Sequence, residues 1–124
     1  MDCVFCQIIA NKKDIILENE LAVAFFDTFP VSEGHALIIP KRHCETYFDL
    51  SKEEMSAIFE LSNELKSYLD NKLHPDGYNI GFNAGIDAGQ SVMHCHMHVI
   101  PRYKGDCDNP RGGVRKIIKN KIKY

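Results

Sequence analysis

One stretch of this sequence carries a 3.6-residue apolar rhythm, and the other strongly patterned stretches read as strands. Met55, Ile58, Phe59, Leu65 and Leu69 recur at helical spacing behind Ser51-Lys52-Glu53-Glu54. That tetrapeptide is a capping box: the Ser51 hydroxyl accepts from the N–H of Glu54, and the Glu54 carboxylate reaches back to the N–H of Ser51. Leu50 and Met55 stand at the positions of a hydrophobic staple, so the pattern predicts one long helix over about 51–73 with its apolar stripe in the core. Strand patterns occupy 15–17, 21–27 and 36–39 before it, and 78–83 and 94–102 after it. Residues 18–20 and 29–34 read as turns between the first three. The βαβ alternation of a doubly wound sheet is missing, and the expectation is an α+β domain: a five-stranded antiparallel sheet with one long helix. Such a sheet keeps an open edge, and its continuation across a homodimer is expected.

The 124 residues suit one domain, 1–124, ending in a basic tail at 108–124. A hydrophobic fraction of 44% with 26% charged residues is ordinary globular composition, and a net charge of -2 argues against a nucleic-acid partner. The charge is uneven, with nine basic and seventeen acidic side chains in 1–110 but six basic and no acidic ones in 111–124. That arm is either a solvated terminus or a lid for a phosphorylated ligand, and spacing does not separate the two. No apolar run approaches the ~20 residues that span a bilayer, and the start lacks the basic-then-apolar pattern of a signal peptide, so no membrane contact and a cytoplasmic location are expected. Five cysteines, an odd number, fit free-thiol or metal roles better than a disulfide framework, and Cys3 and Cys6 stand out by spacing.

Three of the six histidines fall in His94-Cys95-His96-Met97-His98-Val99. With a side-chain period of two, a strand here sets the three imidazoles on one face and sends Cys95, Met97 and Val99 into the core. The preceding loop, 84–91, is glycine-rich, and its backbone can approach an anion closely. Such a row serves either metal coordination or acid/base and nucleophilic catalysis near neutral pH.

The run His94-x-His96-x-His98-Val99-Ile100 resembles the signature of the histidine triad superfamily of nucleotide-binding hydrolases and transferases. Cys3-x-x-Cys6, Phe25-Phe26-Asp27, Gly34-His35-x-Leu37-Ile38-Ile39-Pro40-Lys41-Arg42-His43, Gly89-Gln90-Ser91-Val92 and Ile100-Pro101-Arg102-Tyr103-Lys104-Gly105-Asp106 extend the likeness in the same order. Asn109 to Arg115 is similar to the tail of one bacterial group. The resemblance implies a purine-nucleotide hydrolase working through a covalent nucleotidyl-histidine, with His96 as nucleophile. Attack by one ring nitrogen requires the proton on the other, a state that a backbone carbonyl acceptor would hold. By the same resemblance His98 contacts the phosphate region and helps protonate the leaving group, Ser91 and Gln90 face the phosphate and leaving group, and N–H groups near Gly89 stabilise the anion. Asn83 stands beside the phosphate, Asp27 takes the ribose hydroxyls, and Phe5, Ile8 and Phe25 border the base or are simply core.

A structural zinc site of Cys3, Cys6, His43 and His94 is implied by the bacterial relatives that carry the cysteine pair. Cys44, Cys95 and Cys107 read as bystanders, His74 as an exposed residue after the helix, and His35 as support for the triad. The uridylyltransferase branch typically has Gln where His98 stands, which favours hydrolysis. The branch acting on adenylated DNA ends carries an added zinc finger, which is not expected after Tyr124. Asp27 and Asn83 resemble the phosphoramidases that cleave adenosine phosphoramidate to AMP. The tail resembles proteins described as dinucleoside polyphosphate hydrolases, although Lys116-Ile117-Ile118-Lys119 stands where a Pro is usual. A nucleotide-binding regulatory protein and a purely structural zinc protein are the readings outside enzymology.

Overall fold

The structure, a computed structural model, describes residues 2–119 and Lys121. Its elements are α1 (Val4–Asn11), β1 (Ile15–Glu18), β2 (Ala22–Phe26), β3 (Ala36–Pro40), α2 (Lys52–Leu73), β4 (Gly77–Phe82) and β5 (Met97–Arg102). The strands form one antiparallel sheet in the order β1-β2-β3-β5-β4. The α+β expectation holds, with the five strands and the long helix where the pattern placed them.

Strand alternation sorts the sheet into two faces. Ala22, Ala24, Ala36, Ile38, Met97 and Val99 join Ala57, Ile58, Leu61, Leu65 and Leu69 of α2 in one buried cluster. Three of the sheet residues in that layer are alanines with no exposed surface, which lets the helix lie close to the backbone. Val23, Phe25, Leu37 and Ile39 point the other way and pack under α1 through Phe5.

The N-terminus of α2 is built as the sequence predicts. Ser51 Oγ accepts the N–H of Glu54 at 3.0 Å, and Glu54 Oε1 accepts the N–H of Ser51 at 2.9 Å. Leu50 is buried in the main cluster and Met55 packs against it. Glu54 also takes two bonds from Arg42, at 2.9 and 2.8 Å, so one buried carboxylate ties the helix start to the chain leaving β3. Those bonds, led by the guanidinium, hold the Glu54 carboxyl down at about 2.

Three expectations need correction. Helix α1 was not anticipated: its cap is a cysteine, Cys3, whose Sγ accepts the N–H of Cys6 at 3.3 Å. Phe59 is 48% exposed, because the buried stripe runs through Ala57, Ile58, Leu61, Leu65 and Leu69 and leaves it on the flank. Finally, β5 starts at Met97, not at 94. The β3–β5 register pairs Ile38 with Met97, so Pro40 would come opposite Cys95. Lys41 N–H bonds Leu21 O on the β2 side at 2.8 Å, which puts the N–H that Pro40 lacks on the β5 side. The ladder stops there, and Cys95 N–H turns to Cys44 O at 2.7 Å.

The expected tail continues from β5 through a 3-10 turn at Gly113–Ile117. Residues 120 and 122–124 of that tail lie outside the described residues. No helix among the described residues is long and apolar enough to cross a membrane.

Glu54→Gln removes the ion pair and weakens the cap; with Arg42 half-exposed, the expected loss is about 1–3 kcal/mol in urea unfolding at pH 7. A carboxyl with a depressed folded-state pKa stabilises fully above its unfolded value and loses that contribution as pH falls through its folded one. The difference between wild type and variant therefore shrinks as pH drops from 4.5 through about 2.

Candidate active site

The face away from α2 collects the polar residues. Asp27 follows β2, His35 precedes β3, and His98 lies in β5 opposite Leu37 on one side and Gly81 on the other. Extending the β4–β5 register by one same-face step brings Asn83 opposite His96. A cleft of about 330 Å³ opens along this row, lined by His35, His98, Asn79, Gly81, Asn83 and Val114 among others. Val114 comes from the 3-10 turn of the tail, so the tail reaches the rim of the site.

The proton positions follow from the fixed donors and acceptors. His96 Nδ1 lies 2.9 Å from the carbonyl oxygen of His94. A carbonyl only accepts, so Nδ1 carries the proton and Nε2 bears the lone pair. Phe5 packs edge-on against the His96 ring at 5.1 Å and against Phe25 at 5.4 Å. His98 receives the opposite assignment through a chain of two bonds. Val31 N–H donates to His35 Nδ1 at 3.1 Å, which leaves the proton of neutral His35 on Nε2. That N–H donates to His98 Nδ1 at 3.0 Å, with Asp27 Oδ2 at 3.4 Å. His98 therefore presents Nε2–H, and its ring centre stands 5.0 Å from that of His96.

Burial disfavours the charged forms of His98 and His35. It pulls His98 down to about 4, with the neighbouring His96 and His35 acting in the same direction against Asp27. His35 is lowered by burial too, partly offset by Asp27. The pair thus combines an imidazole nitrogen with a free lone pair and an adjacent neutral N–H donor. Such a pair suits nucleophilic attack beside a hydrogen-bond donor to the departing atom.

The remaining sequence-derived residues take varied places. Gly85 and Gly89 have φ of 99° and 94°, conformations that favour glycine, and shape the 84–91 loop around a 3-10 turn. The N–H of Gly89 bonds Ile86 O at 2.9 Å and that of Gln90 bonds Gly85 O at 3.1 Å. The buried Gln90 amide accepts from Gly85 N–H at 2.8 Å and donates to Glu45 O at 2.6 Å and Val92 O at 3.0 Å. Gly89 and Gln90 thus bond within the chain and shape the loop. Ser91, next along, is exposed. Asp27 Oδ1 accepts the N–H of Phe29 at 2.9 Å. Phe5 and Phe25 are buried and Ile8 is half-buried in the cluster beneath α1. His74 is the exposed left-handed cap that ends α2.

Cys3, Cys6, His43 and His94 bring their ligand atoms together. His94 Nδ1 is 3.4 Å from Cys3 Sγ, 3.5 Å from Cys6 Sγ and 3.2 Å from His43 Nδ1, and His43 Nδ1 is 3.4 Å from Cys6 Sγ. Tetrahedral zinc with ordinary bond lengths separates its nitrogen ligands by about 3.3 Å and nitrogen from sulfur by about 3.6 Å, so the donor set fits. His94 Nε2–H donates to Pro40 O at 2.9 Å, which leaves Nδ1 unprotonated for a metal. Asp27, His35 and His98 also gather three ligand atoms, but the Val31 N–H on His35 Nδ1 marks that group as a hydrogen-bond relay. A neutral imidazole bound to metal through Nε2 would carry its own proton on Nδ1, against the Val31 donor.

A family model described as the HIT domain matches residues 9–105. The "Uncharacterized 16.1 kDa HIT-like protein" of Mycoplasma pneumoniae is 44% identical over 115 residues, 89% of this chain and 80% of its own length. "Adenosine 5'-monophosphoramidase hnt1" of Schizosaccharomyces pombe is 39% identical over 106 residues, 82% of this chain and 75% of that protein. Among solved structures, a Zn-bound histidine triad family protein from Mycobacterium smegmatis superposes with a TM-score of 0.78 at 36% identity, covering 86% of this chain and 78% of that one. The chain belongs to the histidine triad (HIT) family.

The His98 C2–H resonance should keep its neutral position from pH 8 down to about 5 and move only towards about 4. The unfolded chain takes that proton near 6.5, so stability falls as pH drops from 6.5 towards 4. An NMR titration with a midpoint near 6.5 would refute the assignment.

Proposed function

We propose that the protein is a nucleotidyl hydrolase acting on purine nucleotides through a nucleotidyl-His96 intermediate, most specifically a phosphoramidase that releases AMP from adenosine phosphoramidate-type P–N bonds. The observation that carries this reading is the His96 Nδ1–H bond to His94 O, which frees Nε2 for in-line attack on the α-phosphorus. In the first step the Nε2–P bond forms and the P–N bond breaks; the Nε2–H of His98 hydrogen-bonds the leaving nitrogen, which departs as the amine with a proton taken from solvent. In the second, water attacks phosphorus, the P–Nε2 bond breaks to restore the free ring, and the proton lost by that water returns to solvent. Asp27 would meet the ribose, Asn83 and Ser91 the phosphate, and the 84–91 loop would frame it. The bound group implied at Cys3, Cys6, His43 and His94 is zinc, with all four positions filled by protein and no role in the chemical step. The Zn-bound relative and the donor geometry support it. The exposed edge of β4, with Ile80 on its surface, is where the expected homodimer would continue the sheet.

The leaving group separates the two hydrolase readings. An amine is expelled only with a proton, whereas a phosphate leaves as a stable anion. The chain from Val31 through His35 fixes the Nε2–H of His98 as a hydrogen-bond donor towards the leaving nitrogen, which supports the P–N bond. The phosphoramidase name of the fission-yeast relative supports the same choice. Dinucleoside polyphosphate hydrolysis is favoured by one observation, the basic tail at the cleft through Val114. A regulatory protein that only binds nucleotide would not need His96.

The test is turnover of adenosine phosphoramidate beside diadenosine tetraphosphate. The phosphoramidate should be cleaved faster, and His96→Ala should lose about a thousandfold or more. His98→Ala should cost about a hundredfold on the phosphoramidate and less on the dinucleotide. Faster cleavage of the dinucleotide transfers the assignment to the polyphosphate reading; AMP binding without turnover transfers it to the regulatory one.

A further inference from the structure

His94 belongs to two structures at once. Its ring closes the Cys3, Cys6 and His43 cluster, while its backbone carbonyl accepts the proton that sets the tautomer of His96. The peptide unit between His94 and Cys95 is held from both ends. Its carbonyl meets His96 at 2.9 Å, and its N–H donates at 2.7 Å to the carbonyl of Cys44, the residue after His43. The His94 ring has no exposed surface and is pinned through Nε2–H to Pro40 O. A third link runs through α1, where Cys3 caps the helix and Cys6 lies in its first turn. Phe5 stands between them and presents its ring edge to His96. Every route from the cluster thus ends at the nucleophile.

We propose that Cys3, Cys6 and His43 are positioning residues for His96: a divalent metal in their site clamps the His94–Cys95 peptide and Phe5, and thereby holds His96 as the Nδ1–H tautomer with Nε2 free. The inference rests on His96 being the nucleophile of the proposed hydrolase. Without an ion, weak hydrogen bonds of the two sulfurs and the His43–His94 nitrogen contact join the four side chains, and His43 is exposed. The peptide plane then gains freedom, and the proton of a neutral His96 is shared between its two nitrogens. The ordering belongs to chemistry, so metal loss lowers turnover more than it weakens nucleotide binding.

His43→Ala and His43→Cys, each supplied with Zn²⁺, test this on a surface ligand. Three readouts apply: the long-range ¹H–¹⁵N spectrum of the His96 ring without substrate, kcat against KM for adenosine phosphoramidate, and zinc content. The wild type should show a single Nδ1–H tautomer. His43→Ala should show a mixture, with kcat down about tenfold and KM within about threefold, and His43→Cys should restore both. If His43→Ala does not fold, wild type stripped by a chelator and then reloaded supplies the same comparison. A folded, metal-free protein that keeps the wild-type His96 spectrum and kcat overturns the proposal. So does a uniform collapse of spectrum, binding and turnover, which a merely structural site would produce. A wild type that cleaves neither nucleotide defeats the hydrolase reading, while the substrate-free spectrum still decides the positioning role.

Discussion

A proline without an N–H, facing β5 at the end of β3, sets the geometry on which the site depends. A donor at position 40 would face the carbonyl of Cys95 and extend the β3–β5 ladder to that pair. Instead the chain leaves the ladder at 96, Cys95 N–H finds Cys44, and the His94 carbonyl is turned to the ring of His96. The carbonyl of Pro40 is not left idle, because it accepts from the His94 ring and fixes that side chain at the junction.

The rest of the architecture keeps that mount dry and neutral. The alanine-lined face lets α2 press against the sheet, and Glu54 locks the helix start to Arg42 just beyond Pro40. On the other face α1 brings Phe5 against His96. Burial lowers His35 and His98 against the opposing pull of Asp27, and the Val31–His35–His98 chain decides which nitrogen of His98 carries its proton. Two chemically identical side chains, with ring centres 5.0 Å apart, thus acquire opposite tautomers, His96 from the His94 carbonyl and His98 from His35.

Helix α2 was legible almost to the residue, because Ser51 and Glu54 form a local reciprocal pair and the apolar rhythm runs for 22 residues. The five strands were legible from alternation and turn residues. Helix α1 was hidden because it is only eight residues long and its cap is a cysteine, not the Ser, Thr, Asp or Asn that marks most helix starts. Gln90 and Gly89 were readable as loop residues near the phosphate. That their polar groups close on Ile86, Gly85, Glu45 and Val92 was not, since three of those four partners carry no distinctive side-chain signal.

The family resemblance added His43 and His94 as metal ligands; by itself the sequence determined the strand and helix order, the row of three histidines and the Cys3–Cys6 pair. Each of these is written in local periodicity or in the spacing of chemically unusual side chains. Only the tertiary structure decided where the protons sit. His35 owes its tautomer to Val31, His98 to His35 sixty-three residues away, and His94 to the carbonyl of Pro40 fifty-four residues away. An imidazole has two nearly equivalent nitrogens, and which one is protonated depends on the partner each meets in the fold.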